Sequence, residues 1–246
     1  MGFVHPRIGG EFRRTTRLPM TSDEQAAPLH SKPVKTLDYE KLLALAKGHP
    51  LERRLHELLR YNRDPSIYKD IDTQPVEQHV SKVAREDIRQ MLRDQIIKKV
   101  QKGTVRRFGK FFTVYEMAKH RRRPILWPVE INEWLDWVGD MSLKSLLQHM
   151  SEVRAGDMAV CFDLSAGFFQ AELEDVVPLY YGFMDEDGNE YVYTRMVMGA
   201  AYSAELMDVI MQILCTTGIT QCTSTPLNVK TTVHIDNVPS VMKTNS

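Results

Sequence analysis

Residues 158–170 read Met-Ala-Val-Cys-Phe-Asp-Leu-Ser-Ala-Gly-Phe-Phe-Gln, a short apolar run that closes on Asp163 and then turns through Ser165, Ala166 and Gly167 into an aromatic pair. An acid at the end of a buried strand predicts chemistry, because a lone carboxylate there costs several kcal/mol unless it is paired or holds a metal ion. The pattern recurs near the end of the chain. Residues 231–235 are a β-branched run that stops at Asp236 and Asn237. The interval between the two acids is long enough for a hairpin and a helix, so the two runs are able to lie side by side. Two acids would then meet at one sheet end, a setting for divalent cations with oxygen ligands. Pro239 limits any strand that follows the second acid.

The interval reads as that hairpin and helix. Residues 180–184 face 191–196 across Asp185, Glu186, Asp187, Gly188 and Asn189, which is hairpin turn chemistry. After Gly199, which breaks a strand-to-helix join and lets another backbone approach closely, residues 204–214 have the composition of a buried helix. Upstream, residues 38–47 and 51–60 repeat apolar positions at helical spacing, with Leu51, Leu55, Leu58 and Leu59 the clearest stripe. A third helix is expected over 83–97, with Ile88, Met91, Leu92 and Ile96 on one side, and a strand over 111–115.

Charge is balanced over the whole chain and unbalanced along it. The 246 residues carry 32 Lys plus Arg against 32 Asp plus Glu, which disfavours a globally cationic coat or an acidic tail. From 98 to 123, however, ten basic residues meet the single acid Glu116, and from 151 to 210 twelve acids meet only Arg154 and Arg195. This arrangement suits a polyanion held beside a carboxylate metal site. It equally describes two unrelated solvated faces. Three cysteines without a CxxC pair argue against a disulfide framework or a zinc ribbon and for a reducing compartment. No run approaches the roughly 18 apolar residues of a membrane span. The expected location is intracellular, cytoplasmic or nuclear, and the arginines of the first 17 residues leave mitochondrial targeting as the alternative. Asp185, Asp187 and Asn189 imitate a calcium loop, but Glu190 and Met196 replace its Gly and closing Glu, so a hairpin turn is the reading. Trp127, Trp134 and Trp137 are read as packing rather than base-stacking residues.

Taken in order, these segments resemble the reverse transcriptases of retroelements. Phe-Asp-Leu-Ser-Ala-Gly-Phe-Phe-Gln looks like the first palm motif, and residues 181–199 look like the palm hairpin leading into the second. Val-His-Ile-Asp-Asn-Val stands where the family has its Tyr-x-Asp-Asp turn, and Arg-Arg-Arg-Pro-Ile-Leu-Trp-Pro-Val-Glu-Ile-Asn is similar to the fingers segment. The resemblance covers residues 82–238, with a loose likeness to DIRS-type elements. It implies an α+β fold, a right-hand polymerase fingers and palm with a small antiparallel palm sheet backed by helices. The expected organisation is a mobile basic arm at 1–35, a helical region at 36–81, fingers at 82–140 and palm at 141–246.

The resemblance also implies roles. Asp163 and Asp236, with the Leu164 carbonyl and Asn237, would hold two Mg2+ ions, or Mn2+ in their place. Arg123 and Lys119 would meet the triphosphate, Phe168 would exclude a ribose 2′-hydroxyl, and Met198 and Gly199 would pack against nucleotide or template. Arg106, Arg107, Lys110, Arg121 and Arg122 would grip nucleic acid. The implied partners are an RNA or DNA template with its primer and deoxynucleoside triphosphates. The chain departs from the family pattern at Asn237, where a second Asp is usual, at Val197 for Pro and at His234 for Tyr. It ends at Ser246, before any thumb or RNase H region, which implies a truncated or degenerate RNA-directed DNA polymerase. The alternative is a non-catalytic nucleic-acid-binding remnant.

Overall fold

The computed structural model describes residues 20–135, 139, 158–222, 229–231 and 237–242. It is a mixed α+β structure with small antiparallel sheets and surrounding helices. In chain order the elements are α1 (Ser22–Ala26), α2 (Tyr39–Ala46), α3 (Glu52–Arg63), α4 (Arg85–Arg93), β1 (Ile97–Val100), β2 (Lys110–Glu116), β3 (Arg121–Trp127) and α5 (Val129–Leu135). Then follow β4 (Met158–Asp163), α6 (Gly167–Gln170), β5 (Gly182–Met184), β6 (Glu190–Tyr193), α7 (Ser203–Cys222), β7 (Val229–Thr231) and β8 (Asn237–Met242). Among the described residues no helix is long and apolar enough to cross a membrane.

Local chemistry accounts for the ends of these elements. Thr21 and Glu24 form a reciprocal capping box on α1, and the Asp38 carboxylate accepts from the Lys41 amide to start α2. The expected third helix stops early. α4 ends at Arg93, Gln95 takes a left-handed backbone (φ 57°), and Ile97–Val100 becomes a strand. Lys98 and Lys99 hide that strand from a hydrophobic-pattern reading, yet β1 pairs antiparallel with β6 from Ile97↔Tyr193 to Val100↔Glu190. The stretch around residues 28–30 also pairs with the sheet. Leu29 is buried and bridges Arg122, and the His30 amide donates to the Arg122 carbonyl, so this stretch lies along β3.

Three sheets result, in the orders β1-β6-β5, β2-β3 and β4-β8-β7. The 185–189 turn closes β5 on β6, the Asp185 carboxylate accepting from the Asp187 and Asn189 amides. β8 runs through Pro239, which pairs with Cys161 of β4, so the proline does not end the strand. α7 outlasts the expected 204–214 span.

Leu42 of α2 and Leu55, Leu58 and Leu59 of α3 share the main core with Leu206, Met207, Ile210 and Ile213 of α7. A polar chain runs through this core. Tyr202 Oη donates to Asn62 Oδ1 (2.8 Å), Asn62 Nδ2 donates to Tyr39 Oη (3.0 Å), and Tyr39 Oη donates to the Glu172 carbonyl (2.6 Å). Asn62 is fully buried, so removing its amide takes one hydrogen-bond partner from each of two tyrosine hydroxyls. An Asn62→Leu variant is expected to lose about 2–4 kcal/mol of stability, measured as a lower urea midpoint at unchanged slope. An unchanged midpoint would remove this network from the account of the core.

Candidate functional site

The pleat of β3 divides the arginine triplet. Glu116 pairs with Arg121 and Val114 with Arg123, so Arg121 and Arg123 share one face with Glu116 while Arg122 faces the other way. Arg122 forms a two-pronged bond to Asp87 (2.6 and 2.8 Å) and donates from Nε to the Ala27 carbonyl (2.7 Å). It ties the hairpin to α4 and to the N-terminal stretch. Arg121 and Arg123 converge on Glu116, with Arg121 Nε 2.6 Å from Oε2 and the Arg123 fork at 2.9 and 3.0 Å.

That face opens on a cavity of about 160 Å3. Its walls are Arg121 and Arg123, His30 and Lys32 from the N-terminal stretch, the β4–α6 turn with Leu164 and Phe168, and Met198. Ala166 turns the chain there with a left-handed backbone (φ 52°), unusual for a residue with a Cβ. Lys32 Nζ donates to Ser165 Oγ across the cavity rim. Burial acts first on Glu116 and would raise its pKa. The bonds from Arg121 and Arg123 overrule it and hold the carboxyl at about 2. His30 moves the other way from its ordinary range. Burial, then the charges of Arg121, Arg123 and Lys32, depress its pKa to about 4, so near neutrality it is an uncharged acceptor 3.0 Å from Arg121 Nη1. Three cations facing one carboxylate leave the cavity net positive, an environment for a polyanion.

β4 ends beside this cavity. In the β4–β8 ladder Asp163 stands opposite Asn237, and the next residue after Asp163 is the cavity-lining Leu164. Asp236 lies outside the described residues. Gly199 borders Met198 and is packed against this chain's own β3: a Cβ built on it would fall 1.9 Å from the Leu126 carbonyl oxygen. Its close neighbour on the Cβ side is protein backbone. Asn132 of α5 secures the same turn, donating to the Gly199 carbonyl (2.8 Å) and accepting from the Ala201 amide (2.9 Å).

The remaining expected cations are dispersed. Lys119 is exposed in the β2–β3 turn and does not line the cavity. Arg107 is 2% exposed and donates to the carbonyls of Ile71, Gln74 and Arg106, which makes it a core cross-link rather than a nucleic-acid contact. Arg106 pairs with Asp72 and lies over the Tyr180 ring. Arg122 is engaged with Asp87, as above, and Lys110 is exposed at the start of β2. Only Arg121 and Arg123 of the triplet reach the cavity. Trp127 was expected to pack, but it is 48% exposed, on the same face of the hairpin as Phe112, Ile125 and Arg123, and its ring is chemically suited to stacking on a base. His30 and Lys32 escaped the sequence reading because they follow a stretch without hydrophobic period.

No family model matches the chain, and no curated protein sequence matches it. Among solved structures, a prototype foamy virus protease-reverse transcriptase, the CSH mutant, is a neighbour at 11% identity and a TM-score of 0.49. The match covers 87% of this chain and 30% of that one.

The depressed pKa values have one sign. His30 releases its proton in the folded state between pH 6.5 and about 4, where the unfolded chain binds it, and Glu116 does so between 4.5 and about 2. Stability is therefore expected to fall continuously as pH drops from 6.5, as seen in urea midpoints across a pH series. His30→Gln should flatten the part above pH 4.5 and lessen the slope between 4.5 and about 4, leaving the part below to Glu116. Midpoints that hold steady or rise between pH 6.5 and 4 would contradict this electrostatic picture.

Proposed function

We propose that this chain is the fingers and palm of an RNA-directed DNA polymerase and binds a deoxynucleoside triphosphate in the cationic cavity. The observation that carries the reading is the convergence of Arg123, Leu164, Phe168 and Met198, from three separate segments, on one cavity beside the Asp163–Asn237 rung. The reaction is attack of a primer 3′-hydroxyl on the α-phosphate with release of pyrophosphate. Arg121 and Arg123 exchange Glu116 for phosphate oxygens, which suit the guanidinium fork equally well. Lys32 adds a point charge at the rim. Phe168 stands under the sugar and its bulk excludes a 2′-hydroxyl, which selects deoxynucleotides.

The donor set fits a hard divalent cation. In the β4–β8 register Asp163 pairs with Asn237, Asp236 precedes that asparagine in sequence, and Leu164 follows Asp163. Asp163 and Asp236 would hold Mg2+, which supplies a lowered pKa for the attacking hydroxyl and charge neutralisation for the leaving pyrophosphate. A template and primer would lie along the β2–β3 hairpin, where Phe112 and Trp127 offer rings and Lys110 a charge.

Asn237 favours a second reading. An amide opposite Asp163 is a poorer cation ligand than a carboxylate, so a binding remnant without turnover has a specific observation behind it. Primer extension on an RNA or DNA template decides between the two. Catalysis predicts Mg2+-dependent incorporation that Asp163→Ala abolishes, a KM for the incoming nucleotide raised about 10–100-fold by Arg123→Ala, and ribonucleotide incorporation by Phe168→Ala. Salt-sensitive duplex binding with no extension favours the remnant. Neither binding nor extension sinks both.

A further inference from the structure

Away from the cavity, a second group of metal-ligating side chains meets at the start of α5. Glu77, His79 and Glu130 each bring one ligand atom to within 4.8 Å of the other two. Glu77 and His79 stand two positions apart on the stretch leading into the Val80–Met184 bridge. Glu130 stands in the first turn of α5. We propose that these three side chains bind a first-row divalent transition ion, with Zn2+ the foremost candidate.

Spacing supports the proposal. His79 Nε2 and Glu77 Oε2 are 3.8 Å apart, too far for a hydrogen bond. Two ligands about 2.1 Å from a tetrahedral ion stand roughly 3.4 Å apart, so a small movement closes this pair around one. The third ligand is held in advance. Glu130 Oε1 accepts from the Glu77 amide (3.0 Å), and Oε2 lies 3.2 Å from Arg107 Nε. Arg107 is itself buried and fixed by carbonyls, and its Nε has no hydrogen-bond partner. A buried guanidinium behind a ligand carboxylate orients that ligand and leaves its other lone pairs facing outward.

Charge and ligand type narrow the ion. Two carboxylates against one guanidinium leave a net negative group that attracts a dication. One imidazole with two carboxylates suits Zn2+ or its neighbours better than Mg2+ or Ca2+, which prefer oxygen alone. Three protein ligands leave a fourth position for water, and the group borders a groove of about 600 Å3 that Glu133 and Trp134 also line. A bound ion would staple residues 77–79 to α5, whose Asn132 holds the Gly199–Ala201 turn. The proposal is independent of the polymerase reading, because none of its residues lines the cationic cavity.

The test is calorimetric titration of the full chain, stripped with chelator, with ZnCl2, and the visible spectrum of the Co2+ form. One equivalent is expected to bind, with the bands of four-coordinate Co2+ and a raised Tm. His79→Ala and Glu77→Gln should each weaken binding at least tenfold, with folding checked by far-UV circular dichroism. Asp163→Ala should leave it unchanged, which separates this site from the carboxylate that ends β4. Glu77 is exposed, so its variant serves if His79→Ala fails to fold. No Zn2+ binding by the unmodified chain, or binding that survives both substitutions, would overturn the proposal.

Discussion

The contact on which the rest of the site depends is the close approach of Gly199 to the Leu126 carbonyl of β3. A side chain at that position would overlap backbone, which cannot swing aside as a rotamer does. Because the two backbones touch, the 196–201 turn is drawn against the β2–β3 hairpin, with Met198 on one side of the join and Arg123 three residues before Leu126 on the other. Asn132 completes the clamp from α5 with one donor and one acceptor bond. The cavity is the space left where these elements meet the β4–α6 turn.

Electrostatics then gives that space its character. Strand alternation sorts three consecutive arginines into two jobs, Arg122 holding the fold together through Asp87 and Arg121 with Arg123 lining the cavity. Glu116 occupies both of the latter as a carboxylate kept ionised far into acid. An anionic ligand would therefore meet guanidinium groups already aimed and oriented. Its binding would be an exchange of acceptors, which avoids the cost of ordering long side chains from solution.

Much of the core was legible from periodicity. Leu55, Leu58 and Leu59 are buried as their helical spacing predicts, and the Asp185–Asn189 turn closes the expected hairpin. β1 was not legible, because its two exposed lysines mask a four-residue strand whose register comes from β6. A local pattern also cannot separate Arg107, whose guanidinium is consumed by carbonyls more than thirty residues away, from Arg123, which faces a cavity. His30 and Lys32 reach the cavity only through the pairing of residues 28–30 with β3, a long-range contact without a sequence period. Pro239 misled in the opposite direction, since β8 runs through it and pairs it with Cys161 of β4.

The central claim is that backbone contact between Gly199 and β3 builds a polyanion-binding cavity from distant segments. Equilibrium titration of the unmodified chain and of Gly199→Ala with a deoxynucleoside triphosphate, and with inorganic tripolyphosphate, tests it most directly. The account predicts saturable, salt-sensitive binding of both ligands by the unmodified chain and at least tenfold weaker binding by a Gly199→Ala protein that remains folded by circular dichroism. Equal binding by the two proteins, or no binding of either ligand by the unmodified chain at low salt, would contradict it.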